Sequence, residues 1–173
     1  MVTIESISTG DVKISSGEVC LRASALGSCV AVTLHDPACA AGAMAHVMLP
    51  GASRGRASAE SKRTRYADDA VAELLRLMTN MDADTSRATL CLVGGANVLG
   101  KDHDTLGLDI VRSLTDIFAH HGIVPVATET GGTLRRSCTL DVATGRVTFT
   151  VGDSEEKLLW PPAHSSLPAG VAV

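Results

Sequence analysis

Two residues of this chain, Cys29 and His46, could act together as a nucleophile and its base. Each lies in an apolar run, Leu26–Val32 (LGSCVAV) and Ala43–Pro50 (AMAHVMLP), that is typical of a buried strand. The separation of the two runs suits two strands and their connection, so we expect the thiol and the imidazole to be neighbours. A free cysteine is mostly protonated at neutral pH, and an adjacent imidazole can take its proton.

This pair would be the minimum for covalent acyl transfer. The thiolate would attack a carbonyl carbon, and a backbone N–H near Gly27, Ser28 and Cys29 could hold the oxyanion. The imidazolium would then protonate a leaving amine, and water would release the acid. Residue types alone leave two other hypotheses open. One is a buried cysteine beside a hydrogen-bonded core histidine. The other is a zinc site, which lacks a close ligand pair and would draw on Cys20, Cys29, Cys39, His35 and His46.

Composition excludes several function classes. The 173 residues carry a formal charge of -4 and only 2% aromatic residues, which argues against nucleic-acid binding. The N-terminus lacks the features of a signal peptide, and no apolar run is long enough for a membrane helix, so we expect a cytoplasmic protein without membrane insertion. Five cysteines without a C-x-x-C pair predict free thiols. The pairs Gly94-Gly95 and Gly131-Gly132 match no nucleotide-binding motif, so no nucleotide site and no cofactor are expected. No metal is expected either, because the candidate ligands include no close pair.

The hydrophobic pattern predicts an α+β (mixed α/β) fold, with packed sheet at the centre and helices flanking it. A helix of four to five turns begins near Arg65, with Tyr66, Ala70, Leu74, Leu77 and Met81 on one face; a second follows a cap at Asp104-Thr105 and stops before Gly122. A short helix is predicted over Ser154–Trp160. The predicted strands cover residues 2–7, 11–14, 19–23, 29–34, 41–49, 88–93, 123–128, 133–141 and 146–151.

The remaining segments are predicted to be loops and a tail. Residues 24–28 form a small, flexible turn before Cys29, and residues 53–63 form an exposed, mobile loop. Residues 161–173 carry prolines without apolar periodicity and are expected to be disordered. Residues 1–160 are therefore expected to form a single domain.

Four motifs together resemble the CheD family of chemoreceptor glutamine deamidases. They are the two runs around Cys29 and His46, the helix start Tyr66–Asp68 and the turn Gly94–Asn97, and the resemblance extends from about residue 19 to 151. It implies that Cys29 is the nucleophile and His46 its base, with Gly27, Ser28 and Asn97 lining the site. The family also resembles the catalytic domain of the cytotoxic necrotizing factor toxins, which implies packed β-sheets with flanking helices.

The resemblance implies hydrolysis of selected glutamine side chains on the cytoplasmic domains of chemotaxis receptors. It also implies a CheC-type phosphatase as a partner, so a regulatory binding role with weak deamidation is the alternative function. Two positions depart from the family pattern. Ala23 stands where relatives commonly carry a threonine, leaving Ser24 as the candidate third group, and Gly107–Ile110 replaces a more polar stretch.

Overall fold

The structure, a computed structural model, describes residues 2–55 and 63–161. Within these residues it contains two helices and ten strands, so the predicted α+β class is confirmed. The helices are α1 (Ala67–Asn80) and α2 (Leu106–His120). The strands are β1 (Thr3–Ser6), β2 (Val12–Ser16), β3 (Val19–Leu26), β4 (Val30–Asp36), β5 (Ala41–Val47), β6 (Thr89–Gly94), β7 (Ala127–Thr130), β8 (Arg136–Asp141), β9 (Arg146–Val151) and β10 (Lys157–Trp160).

The strands form two five-stranded sheets that pack face to face. Sheet I has the order β1-β3-β8-β9-β10, and sheet II has the order β2-β5-β4-β6-β7. One apolar cluster fills the layer between the sheets, and a second lies between sheet II and the two helices. The layers therefore run helices, sheet II, sheet I.

Strand β4 is buried on both faces because sheet I covers one face of sheet II and the helices cover the other. Its residues alternate between the two layers: Val30 and Val32 face the helices, and Ala31 faces sheet I. Both of its partners, β5 and β6, are antiparallel, with Ala31 paired to His46 and to Val93. This alternation decides which side chains enter the layer between the sheets.

Helix α1 turns a slightly different face to sheet II than the sequence pattern predicted. The buried residues are Ala67, Ala70, Val71, Leu74 and Met78, whose spacing follows the helical period. Met81 was predicted on this face but lies just past the helix end and is exposed.

Strand β3 continues through the segment that was predicted to be a turn. Its pairing with β8 shifts by one residue between Ala23 and Leu26, and Ala25 has a φ of 55°. This β-bulge allows Ala23 and Leu26 both to point into the core. The turn prediction was wrong for residues 24–26, because small residues such as Ser24 mark a bulge as readily as a turn, but Gly27 and Ser28 do lie in the connection between β3 and β4.

The C-terminal segment was also predicted incorrectly. Residues Lys157–Trp160 form a strand that pairs antiparallel with β9, not a helix. A short apolar run does not distinguish the two states, and here the open edge of β9 supplies the pairing. Strand β7 likewise begins only at Ala127, because Pro125 lacks an N–H for the ladder.

Two predicted segments lie wholly or partly outside the described residues. The expected mobile loop over residues 53–63 falls mostly on residues 56–62, although Ser53 is buried and its N–H donates to Asp69. The expected tail falls on residues 162–173, apart from Pro161. Neither helix of the described ranges is long and apolar enough to span a membrane.

Candidate functional site

Cys29 lies in the short connection from β3 to β4, where the chain passes from one sheet to the other. Its side chain packs against the layer between the sheets, on the same face as Ala31, and is partly exposed. The turn is held by the segment after β6: Gly95 N–H donates to the Cys29 carbonyl and Ala96 N–H to the Gly27 carbonyl, both at 2.8 Å. The backbone that carries the thiol is therefore fixed from one side.

Gly94 explains why glycine is needed in this supporting turn. Its φ is 124°, and a Cβ there would come closer than 3.0 Å to the carbonyl oxygen of Cys29. The next residue, Gly95, similarly approaches the backbone of Gly107 at the start of α2. The turn after β6 is therefore in close backbone contact with the Cys29 turn on one side, through Gly94, and with the start of helix α2 on the other, through Gly95.

The N–H groups of Gly27 and Ser28 are the candidate donors of an oxyanion site. Within the described part of the chain, neither donates to a backbone or side-chain oxygen, whereas the Cys29 N–H interacts with its own sulfur. The carbonyls of Gly27 and Cys29, in contrast, accept hydrogen bonds from the N–H groups of Ala96 and Gly95. Donors beside a thiol that lack a protein acceptor can hold the charge that develops during attack on a carbonyl.

His46 lies on β5 opposite Ala31, so it faces the same layer as Cys29. It is 5% exposed, and its Nδ1 lies 3.2 Å from the Ile7 carbonyl oxygen. Because a carbonyl only accepts hydrogen bonds, we assign the ring hydrogen to Nδ1, which leaves the lone pair on Nε2. The Ile7 carbonyl therefore orients the ring as a base.

Cys29 comes two residues before Ala31, which pairs with His46, so the register of β4 and β5, continued by one residue, makes Cys29 and His46 diagonal neighbours. Cα atoms in this relation are about 7–8 Å apart, which places the side chains near each other. No hydrogen bond joins the two side chains among the described residues. Such bonds are often long before substrate binds, so this geometry is compatible with a catalytic pair.

The surroundings of both groups favour their uncharged forms. Burial raises the pKa of the Cys29 thiol above 9.0, and the residue's own N–H lowers it in part. Burial lowers the pKa of His46 below 6.5, against the opposing effects of the Ile7 carbonyl and Asp11. The raised thiol pKa and the lowered imidazole pKa both favour a neutral pair near neutral pH.

An open cleft of about 290 Å³ brings His46 to the surface. Ser24 lines this cleft, whereas Ala23 is fully buried on the opposite face of β3. The candidate third group therefore shares a surface with His46. The cleft is lined by Ser6, Ile7, Ser8, Thr9, Arg22, Ser24 and His46.

The other predicted site residues have supporting positions. Gly27 contacts Val98, since a Cβ on it would lie 3.3 Å from a Val98 methyl group. The Asn97 amide bonds to both the N–H and the carbonyl of Lys101, which closes its own loop. Ser28 is partly exposed beside Cys29. Sequence reasoning missed the Ile7 carbonyl, because a backbone acceptor leaves no trace in residue type.

The residues of the zinc hypothesis are not brought together. His35 lies at the far end of β4 from Cys29, and its Nε2 is 2.9 Å from the Val142 carbonyl oxygen. Cys39 is exposed beyond that same end. In residues 2–55 and 63–161, no group of three histidine, cysteine or acidic side chains could hold a metal ion.

Comparison with known proteins gives matches over most of the chain. The family model described as CheD chemotactic sensory transduction matches residues 48–151. A protein of Chlorobium luteolum named probable chemoreceptor glutamine deamidase CheD is 40% identical over 152 residues, covering 88% of this chain and 75% of that protein. The chemoreceptor glutamine deamidase CheD of Thermotoga maritima is 36% identical over 132 residues, covering 76% and 82% respectively. A similarly named probable deamidase of Symbiobacterium thermophilum is 35% identical over 161 residues, covering 90% and 97%.

Proposed function

This chain belongs to the CheD family, and on that premise we propose that it is a chemoreceptor glutamine deamidase. It hydrolyses glutamine side-chain amides of chemotaxis receptors to glutamate and ammonia. The observation that carries the proposal is that Cys29 and His46 face the same layer between the sheets, and that the Gly27 and Ser28 N–H groups beside the thiol donate to no protein oxygen among the described residues.

The first half of the reaction forms a thioester. Nε2 of His46 takes the Cys29 proton as the sulfur attacks the amide carbon of the glutamine side chain. The carbonyl oxygen becomes an oxyanion that the N–H groups of the Cys29 turn stabilise. The imidazolium then gives its proton to the amide nitrogen, the C–N bond breaks and ammonia leaves.

The second half of the reaction uses water. Nε2 of His46, neutral again, takes a proton from water as the oxygen attacks the thioester carbon. The C–S bond breaks, the sulfur recovers a proton from the imidazolium, and the substrate now carries a glutamate side chain. No cofactor or metal is required for this sequence of steps.

Ser24 is proposed as the third polar group of the site. Its place in the cleft beside His46 supports a role in positioning substrate or water. The family threonine position itself, Ala23, is fully buried in the core and carries no hydroxyl. Ser24 is one residue along the strand from the family threonine position, so its side chain points away from the core and its hydroxyl reaches the cleft.

The proposal extends to location and partners. Residues 1–160 act as one deamidase domain in the cytoplasm, where receptor cytoplasmic domains are accessible. A CheC-type phosphatase is proposed as a further partner at the Cys29 face. The names of the relatives refer to deamidation, so deamidase activity is favoured over a purely regulatory binding role.

Incubation with a chemoreceptor cytoplasmic fragment tests the proposal. Mass spectrometry of receptor peptides should show the mass increase of glutamine-to-glutamate conversion, with ammonia released in equal amount. Cys29→Ala should abolish the conversion, Ser24→Ala should reduce it, and Cys39→Ser, which changes an exposed thiol at the far end of β4, should leave it unchanged. Absence of conversion with the native protein, or its persistence in Cys29→Ala, would refute the proposal.

A further inference from the structure

Arg136 is a buried cation close to the site that the mechanism above does not use. It is 6% exposed and is the first residue of β8, where alternation along the strand points it into the layer between the sheets with Cys138. Its pairing partner on β3 is Leu26, three residues before Cys29. A buried guanidinium is costly unless its donors are satisfied.

The donors of Arg136 go to the end of β7 and to the loop that connects β7 to β8. Nε and Nη2 donate to the Glu129 carboxylate at 3.2 and 2.9 Å. Nη1 donates to the carbonyls of Gly131 at 2.6 Å and of Leu134 at 3.2 Å. One side chain therefore fixes both the start and the end of this loop, in a geometry that a planar guanidinium provides and an ammonium does not.

The same loop supports the turn that holds Cys29. Gly131 N–H donates to the Gly94 carbonyl at 3.0 Å, and the Gly132 carbonyl accepts from Asn97 N–H at 2.8 Å. The turn from Gly94 to Asn97 in turn donates to the carbonyls of Gly27 and Cys29. A continuous set of hydrogen bonds thus leads from the Arg136 guanidinium to the backbone of the nucleophile.

We propose that Arg136 is a positioning residue for Cys29, acting through residues 129–134, which are the end of β7 and the loop that follows it. This inference rests on the proposed function, because it concerns the geometry of the same thiol. Glu129 pairs with the guanidinium at 2.9 Å and offsets its charge, so we assign Arg136 an effect on the position of the thiol and not on its charge. Small displacements of a reacting group reduce catalysis strongly.

The test separates positioning from general stabilisation. Arg136→Lys keeps the charge but cannot make the forked set of bonds to Glu129, Gly131 and Leu134. We expect kcat for receptor deamidation to fall about tenfold or more, with KM within about twofold. The control is Arg87→Gln, which breaks an ion pair with Asp36 at the far end of β4 and should lower Tm without changing kcat.

A second readout does not depend on turnover. The rate of Cys29 alkylation by iodoacetamide, measured in a Cys39→Ser background and assigned by peptide mass, should change in Arg136→Lys and not in Arg87→Gln. If the native protein shows no deamidation, this rate still tests the positioning role, so the two proposals can fail separately. Arg136→Lys with native kcat and a native alkylation rate would overturn the inference.

Glu129→Gln tests the positioning role of Arg136 if the Arg136→Lys protein does not fold. It retains the guanidinium and its bonds to Gly131 and Leu134 but removes the charge that orients it. We expect kcat and the alkylation rate to change by roughly threefold, which is less than the change expected for Arg136→Lys, where the loop is displaced. Values equal to those of the native protein would refute the positioning role.

Discussion

Gly94→Ala should displace Cys29, the proposed nucleophile, without removing any of the proposed catalytic side chains. The new Cβ would lie within 3.0 Å of the Cys29 carbonyl oxygen, whereas ordinary contacts begin near 3.4 Å, so the two backbones must separate. The Gly95 N–H bond to that carbonyl would lengthen or break, which costs about 1 kcal/mol. Alanine at a φ of 124° adds strain of about 1–3 kcal/mol.

The matched control is Gly17→Ala. Gly17 also has a positive φ, 78°, but a Cβ there would meet nothing within 4 Å. Both variants share the cost of positive φ, and only Gly94→Ala adds the overlap and the lost hydrogen bond. We therefore expect an additional destabilisation of about 1–3 kcal/mol, or roughly 3–10 °C in Tm for a domain of this size.

Receptor deamidation and thermal melting should be measured on both variants, below the onset of unfolding. If Cys29 moves by about 1 Å, kcat for Gly94→Ala should fall on the order of 10²-fold, while Gly17→Ala keeps native turnover. Equal melting temperatures and equal turnover for the two variants would show that the Gly94 contact does not position the thiol.

Three further predictions concern titration, a distant ion pair and partner binding. Because burial lowers the pKa of His46, kcat/KM should stay constant near neutral pH and fall in acid through a pKa below 6.5, and His46→Asn should lose about 10²-fold or more of kcat. The unfolded chain binds that proton more readily, so the stability contributed by His46 is lost as pH falls below about 6.5, which chemical denaturation at several pH values measures. Asp36 is fully buried, and the Arg87 guanidinium holds the pKa of its carboxyl below 3.8, so Asp36→Ala should cost about 2–3 kcal/mol in a denaturant melt with native turnover of the folded protein. That contribution is present above pH 3.8 and disappears as the pH falls below it, so an Asp36→Ala protein with native stability at neutral pH would contradict the assignment. Cys29→Ala should keep its affinity for a CheC-type phosphatase in a titration; a loss of tenfold, about 1.4 kcal/mol, would place the thiol in the contact itself.

Hydrophobic patterning was sufficient to predict most of the fold. The β-branched run of β4 and the helical periods of α1 and α2 identify the buried elements because burial follows residue type at these positions. It failed at β10, where a four-residue segment takes its structure from the open edge of β9. The parallel pairings of β1 with β3 and of β6 with β7 join residues distant in sequence, which local patterns do not record.

The side chains of the candidate site could be proposed from the sequence, but the groups that hold them in position could not. Cys29 and His46 stand out because reactive groups interrupt apolar runs. The imidazole of His46 is oriented by the Ile7 carbonyl, and the guanidinium of Arg136 donates to the Gly131 carbonyl. These backbone acceptors are brought to the side chains only by the packing of the two sheets. Gly94 was identified as part of a turn, whereas its close approach to Cys29 depends on the register of β4 with β6.

The resting protonation of Cys29 has a consequence for oxidative damage. Peroxide and disulfide reagents react with thiolates far faster than with thiols, so a nucleophile that burial keeps protonated is a poor target for them. Burial also raises the pKa of Cys91 to about 11 and that of Cys138 still further, so these core thiols are equally unreactive. If Cys29 is the nucleophile, as proposed, we expect it to lose its proton only while an amide occupies the site, and the enzyme should retain its activity through peroxide exposures that inactivate enzymes with a standing thiolate.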